Sequence, residues 1–255
     1  MQVDLNADMG EGYGDWTMGD DAALLDIVTS ANIACGAHAG DWDVMAATMA
    51  RAAERGVGIG AHPGFADLQG FGRRRVAMPP ESVANLVAWQ FGAARGVAAT
   101  VGADVRHFKL HGALANMASE DADLSRAAYG AARRIDPEVI LLVLAGTAQE
   151  RVAREMGGLW AGEIFADRGY ADDATLIARG MPGAMIHDPE VAAARMVRFV
   201  RDGAIRAASG RTIPAACDSI CLHGDGPEAV AIARAVRAAL EAEGVTLAPM
   251  PGRYA

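Results

Sequence analysis

The chain carries 22 arginines and a single lysine, Lys109, which lies in the run HFKLHG at 107–112. An ammonium is a compact point charge whose pKa moves readily with its surroundings, whereas a guanidinium stays charged and presents a planar fork. A chain that meets every other need for positive charge with arginine, and keeps one lysine here, points to a chemical use for that position. In an extended strand alternate side chains share a face, so His107, Lys109 and His111 project together while Phe108 and Leu110 face the other way. The alternative is a lysine that snorkels at a strand end or pairs with an internal carboxylate.

Residues of the same kinds recur at equivalent places. Asn6, Asp8 and Glu11 follow one apolar run, His38 and Asp41 a second, and His62 a third. Lys109 and His111 follow a fourth, and Glu163 with Asp167 and His223 with Asp225 close two more. Four of the six histidines lie at such glycine-flanked ends. One alone reads as a hydrogen-bonded structural histidine, but four require the same coincidence four times. Imidazoles and carboxylates around one lysine supply general acids and bases, metal ligands, and a cation for a developing oxyanion or a bound carboxylate.

Other chemistries find less support. Cys35 precedes His38 by three residues, but a small thiol in an apolar strand reads as core rather than nucleophile. No GxSxG elbow is present. A phosphate-binding P-loop needs Gly-Lys-Ser/Thr, and the only lysine is followed by Leu110. The string GEGYG at 10–14 lacks GxGxxG spacing, so any ATP is handled by another fold or another polypeptide. No HExxH-like spacing marks a metal site, which leaves a divalent metal open.

These groups need elements to position them. Apolar β-type runs near 2–6, 31–36, 57–61, 105–110, 139–144, 161–166 and 217–222 alternate with Ala-rich stretches of helical period, with a weaker eighth run at 245–248. Ser119 is expected to cap a helix over 120–134, Asp188-Pro189 to open one over 189–208, and Pro227 to sit in the first turn of one over 227–243. Strand–helix alternation implies parallel pairing and right-handed crossovers, and such folds carry their sites at the carboxyl ends of the strands. The 255 residues, with no low-complexity linker, read as one (β/α) barrel domain over 1–255. The net charge of −9 argues against nucleic acid or an anionic membrane surface as partner, and Arg73-Arg74-Arg75 is too short a run to change that. The start MQVDLNAD has no basic leader and no apolar run reaches membrane-spanning length. Three cysteines without CxxC spacing suggest neither disulfides nor a zinc knuckle, so a reducing cytoplasm is expected.

The blocks DLNADMGEGYGDW at 4–16, SANIACGAHAGD at 30–41, GIGAHPGFADLQGFGRR at 58–74, FKLHGALAN at 108–116, EIFADRGY at 163–170 and ICLHGDGPEAV at 220–230 resemble the LamB/YcsF family, in order and from the first strand to the last helix. The resemblance implies an irregular seven-stranded parallel barrel related to glycoside hydrolases and deacetylases. It also implies the A-subunit role in bacterial ATP-dependent 5-oxoprolinase, working with separate B and C subunits to convert 5-oxoproline to L-glutamate. The matching block residues carried over are Asn6, Asp8, Glu11, His38, His62, Lys109, His111, Asp167, Arg168 and His223. Ala7, Leu110 and Ala115 stand where the family usually has Cys, Pro and Tyr, so no thiol is needed at position 7 and a tyrosine contact near the lysine is missing. Opening an unstrained lactam requires a better electrophile, and phosphorylating the carbonyl oxygen explains the ATP. The expected division is that the partners supply the activated lactam and this rim adds water to it. Asp8 or an adjacent histidine would act as base, Lys109 and His111 would stabilise negative charge, and Asn6, Glu11, His38, His62, Asp167, Arg168 and His223 would hold the substrate.

Two other classes remain open. One is a stand-alone metal-dependent amide hydrolase or deacetylase, with ligands among Asp8, His38, His62, His111 and His223; the other is a non-catalytic ligand-binding component. A Schiff-base lyase using Lys109 is a further alternative.

Overall fold

Short, largely apolar segments of about five residues pair edge to edge and curl into a closed parallel barrel. A computed structural model of the chain describes residues 1–223 and 228–254. In chain order the elements begin with β1 (Gln2–Met9), α1 (Asp21–Leu25), β2 (Ser30–Ala34), α2 (Trp42–Glu54), β3 (Gly58–His62), α3 (Pro80–Thr100) and β4 (Val105–Lys109). They continue with α4 (Gly112–Glu120), α5 (Ala122–Ile135), β5 (Ile140–Leu144), α6 (Ala148–Met156), β6 (Leu159–Phe165) and α7 (Pro189–Asp202). The remainder are β7 (Ala204–Arg206), β8 (Thr212–Pro214), β9 (Ser219–Leu222), α8 (Ala229–Ala242), β10 (Thr246–Leu247) and β11 (Arg253–Tyr254).

Strands β1 to β6 pair with their sequence neighbours in parallel, and β9 closes the ring by pairing with both β6 and β1. The barrel therefore has seven parallel strands, as the alternation of elements and the resemblance both imply. Along β1, Val3, Leu5, Ala7 and Met9 join the apolar layer under the helices, while Asp4, Asn6 and Asp8 are buried on the other, interior face. No helix among the described residues is long and apolar enough to cross a membrane.

Several expected boundaries differ. The helix expected over 120–134 is two, α4 and α5, and the cap of α5 is Asp121, which accepts from the amides of Asp123 and Leu124. Ser119 does not cap because its hydroxyl donates back to the Asn116 carbonyl. Helix α7 stops at Asp202 rather than 208, because Gly203 takes a left-handed conformation (φ 60°) that ends the helix. The following residues form the antiparallel pair β7–β8. The weak run at 245–248 supplies β10, which extends the lower end of β1 but takes no part in closing the barrel. Asp225 and Pro227 lie outside the described residues.

Candidate active site

Lys109 is at the end of β4, and its ammonium is 2.8 Å from Asp8 Oδ1 of β1 and 2.8 Å from Glu163 Oε1 of β6. Cys221 Sγ of β9 is 3.0 Å away and the Phe165 ring 5.2 Å. Four strands thus meet at one buried cation. Burial alone would lower the proton affinity of Lys109, but the Asp8 and Glu163 carboxylates outweigh it and hold its pKa well above the usual lysine value. Burial likewise works to raise Asp8, yet His62 and Lys109 hold it well below the usual carboxylate range. Burial pushes the Cys221 thiol far up, so it meets the ammonium as a neutral group. The internal carboxylate partner that sequence reasoning set against a chemical use of Lys109 is therefore present, twice over.

Below this cation the barrel interior is filled by a hydrogen-bonded column. Asn32 donates to Asp8 Oδ1 at 2.8 Å and to Asn6 Oδ1 at 2.7 Å, and its own oxygen accepts from His107 Nε2 at 2.8 Å. Asn6 donates to Ser219 at 2.6 Å, and Ser219 donates to Asp4. Thr29 and Ser30 also donate to Asp4, at 2.6 and 2.7 Å. Burial pushes Asp4 up to about 6 against these three hydroxyls. Burial, with the Lys109 charge second, pushes His107 down to about 3, so it is a neutral donor here. Gly60 makes room for this ring, since a Cβ there would be 2.0 Å from His107 Nε2.

Above the column opens a cavity of about 340 Å³. Of the residues singled out from sequence, Asp8, His62, Lys109, His111, Arg168 and His223 line it. Asn6 lies beneath it, within the column. Glu11 and His38 are buried beside it, where His38 stacks on His111 with ring centroids 3.6 Å apart. Asp167 lines an adjoining cavity of about 220 Å³ and accepts from His223 Nδ1 at 2.8 Å. That contact puts a hydrogen on His223 Nδ1, so that in the neutral ring Nε2 carries the lone pair. Arg168 is pinned by the carbonyls of Ile177 and Ala184, at 2.7 and 3.2 Å, and burial lowers it to about 10.

Sequence reasoning left several contributors without a role. Glu163 was visible as a strand-end acid, but only the fold shows that, two strands away from β4, it reaches Lys109. Arg73, Arg75 and Arg179 join Arg168 around the cavity; the signal that could have found two of them is the arginine run directly behind the GFG turn. Leu110 and Ala115, two of the departures from the family pattern, are cavity residues, whereas Ala7 is packed in the apolar layer. Cys35 is buried, donates to the Ile33 carbonyl at 3.4 Å and is pushed up to about 12 by burial, which leaves it inert.

Among the described residues, two groups of side chains have metal-ligand chemistry: Glu11, His38, His62 and His111; and Asp8, Cys221 and His223. In the second, Asp8 and Cys221 already meet the Lys109 ammonium, at 2.8 and 3.0 Å.

The LamB/YcsF family pattern matches residues 3–254. A 5-oxoprolinase A-subunit from Ruegeria pomeroyi is 63% identical over 96% of this chain and 97% of that protein. Another from Rhodopseudomonas palustris is 51% identical over 99% of this chain and 100% of that one. The crystal structure of a lactam utilization protein from Thermus thermophilus superposes with a TM-score of 0.91 at 42% identity, covering 97% of this chain and 99% of that chain. A family 4 carbohydrate esterase from Streptomyces lividans, 10% identical with a TM-score of 0.51 over 100% and 96% of the two chains, shares the fold alone. With matching blocks from the first strand to the last, this chain belongs to the LamB/YcsF family.

Proposed function

We propose that the cavity binds an activated form of 5-oxo-L-proline and that the chain works as the A-subunit of an ATP-dependent 5-oxoprolinase. In this reading separate B and C subunits handle ATP, and this rim adds water to the activated lactam, giving L-glutamate. The observation that carries the reading is the cavity wall itself. Arg73, Arg75, Arg168 and Arg179 stand around a space of about 340 Å³ whose inner end holds Lys109, Asp8 and Glu163. Guanidinium groups bind carboxylate and phosphate by paired hydrogen bonds, and an activated 5-oxoproline offers both kinds of anion. The names of the relatives support the lactam as substrate class.

Of the two bases considered, Asp8 or a neighbouring histidine, the geometry favours His223. Asp8 is held as an anion well below neutrality and is a weak base. His223, oriented by Asp167, presents Nε2 to the cavity as an acceptor for the proton of an attacking water. Asp8 and Lys109 then act as a fixed charge pair beside the reacting carbonyl. His111 has both nitrogens engaged, with Phe71 and His62, so it serves as cavity wall rather than as an oxyanion donor.

The test is ATP-dependent 5-oxoproline turnover with this chain alone, the B and C partners alone, and all three together. Turnover is expected only from the complete set, with negligible ATP hydrolysis by this chain. Full turnover by the partners without it overturns the reading. Amide hydrolysis by the isolated chain without ATP would favour the stand-alone hydrolase instead.

A further inference from the structure

Charge is unevenly spread along the chain. Residues 1–50 hold nine Asp or Glu and no Arg or Lys, so this segment carries the whole net charge of −9 and the remainder is balanced. Of these acids, Asp4, Asp8 and Glu11 are buried in the barrel interior, whereas Asp15, Asp20 and Asp43 stand on the surface. Large apolar side chains are exposed in the same place. Trp16 is 76% exposed and Trp42 72%, and Tyr13 and Met18 are exposed beside them in sequence. Elsewhere among the described residues, Trp89, Ile135 and Val191 are exposed on three separate helices, α3, α5 and α7. Scattered residues of that kind are ordinary on a protein surface, and a cluster is not.

The cluster is held in one conformation. After β1 the chain turns back on itself, the Tyr13 amide donating to the Trp16 carbonyl at 2.9 Å and the Trp16 amide to the Tyr13 carbonyl at 3.0 Å. The two rings stack with centroids 6.4 Å apart. Gly12 lets the turn close, since a Cβ there would be 2.8 Å from the Trp16 carbonyl oxygen. Asp41 then ties the turn to α2. Its Oδ2 accepts from the Gly14 amide at 2.6 Å, while Oδ1 accepts from the amides of Asp43 and Val44 at 2.9 and 2.8 Å. The helix capped in this way begins with Trp42, so one carboxylate fixes both tryptophan-bearing segments. Apolar side chains displayed on an ordered scaffold lose little freedom on association, and Trp and Tyr are the residues that anchor protein interfaces.

The place of the cluster in the fold selects its occupant. The turn follows the carboxyl end of β1, two residues beyond Glu11, and α2 follows the carboxyl end of β2. Both belong to the end of the barrel at which Asp8 lines the cavity. A phosphorylated lactam is an electrophile that water destroys, so the polypeptide that makes it must hand it over at this end. Nucleic acid and anionic membranes are repelled by Asp15, Asp20 and Asp43. A second copy meeting this face with its own would set the same charges against each other.

We propose that Tyr13, Trp16, Met18 and Trp42 form the docking surface for the partner polypeptide that supplies the activated lactam. The matching surface on that partner is an apolar recess rimmed by Arg or Lys. The tryptophans fill the recess, and the aspartates around them steer approach and set orientation. The identity of the partner rests on the A-subunit reading, whereas the surface rests on the exposed residues themselves.

The test measures binding of the full chain to the purified B and C partners, separately and mixed, with turnover followed in parallel. Wild type is expected to bind, and to associate faster at low salt than at high salt. Trp16→Ala and Trp42→Ala should each weaken binding by roughly 30-fold or more, the scale of a buried interface anchor. Both should raise the partner concentration needed for half-maximal turnover and leave the melting temperature of the chain unchanged. Asp15→Lys combined with Asp43→Lys should slow association and remove its weakening by salt. Trp89→Ala, exposed on α3, should bind as wild type does. The proposal is overturned by wild-type affinity in both folded tryptophan variants, by an equal loss from Trp89→Ala, or by a wild-type chain that binds neither partner. Self-association of the chain that Trp16→Ala disperses would overturn it too, by making a second copy the occupant. Binding lost in the tryptophan variants, with no 5-oxoproline cleaved by the complete wild-type set, would refute the A-subunit reading and leave the docking surface standing.

Discussion

The lower and upper halves of the barrel interior are both polar and both buried, yet they differ in how their hydrogen bonds are satisfied. In the lower half Asp4, Thr29, Ser30, Ser219, Asn6, Asn32 and His107 bond one another in a continuous column. In the upper half neither nitrogen of buried His38 has a hydrogen-bond partner, His62 and His111 meet ring nitrogen to ring nitrogen at 3.0 Å, and Lys109 gathers two carboxylates next to an arginine-lined cavity. A satisfied buried network rigidifies a fold, whereas leftover donors, acceptors and charge in a cavity wall await a ligand. Polar burial alone does not mark a site; what remains unmet does.

The sharpest way to break this contrast is at the cation that joins the halves. Lys109→Met leaves Asp8 and Glu163 facing each other in a buried site, and losing one side of a buried charge pair costs about 3–5 kcal/mol. Urea unfolding should show that loss, and Lys109→Arg should recover little of it because a planar fork does not fit the position of a point charge. Recovery of wild-type stability by arginine would contradict the packing described for Nζ.

The next effect is on pH dependence and belongs to the lower half. Asp4 has its folded pKa raised to about 6 from 3.8, so its share of stability is fully present below 3.8 and is lost as pH rises through 6. A shift of that size corresponds to about 3 kcal/mol between the two limits. Comparing unfolding free energies of wild type and Asp4→Asn from pH 4 to 7 should show wild type losing ground by that order as pH rises. Parallel curves would mean that Asp4 is not held as described.

Two glycines then sharpen the comparison directly. Gly60→Ala strikes His107 in the lower half and Gly72→Ala strikes His38 and His111 in the upper. Overpacking of this kind costs about 1–3 kcal/mol, with added backbone strain at Gly72, whose φ is +61°. Both should lower the melting temperature, but only Gly72→Ala should also lower turnover by the complete assembly; equal loss from Gly60→Ala would erase the distinction between the halves. The smallest effect is expected at the mouth of the cavity, where Arg75 and Glu120 pair on an exposed surface at 2.6 Å. Glu120→Gln should change stability by less than about 1 kcal/mol.

Much of this was legible in the sequence, for physical reasons. Apolar runs alternating with helical stretches gave all seven barrel strands, and strand-end polar residues pointed to the face that carries the cavity. The lower column was hidden because Asp4 and Asn32 sit inside runs that read as uniformly buried; only closure of the ring shows that one face of β1 and β2 looks inward. The partners of Lys109 were equally hidden, since Glu163 is 54 residues away and meets it only across the folded barrel interior. Ser119 and Asp121 are both capping types, and the choice between them rests on which hydroxyl or carboxylate is free to face the next turn.

The most direct test of the upper half as the reacting end is the turnover number for ATP-dependent 5-oxoproline cleavage by the complete assembly carrying Asp167→Asn. Asp167 holds His223 at Nδ1 and touches no part of the lower column. A decrease in kcat of roughly 10²-fold or more, with the melting temperature close to wild type, is expected if His223 Nε2 is the base. Wild-type kcat from a folded Asp167→Asn assembly would contradict the placement of the chemistry at this end of the barrel.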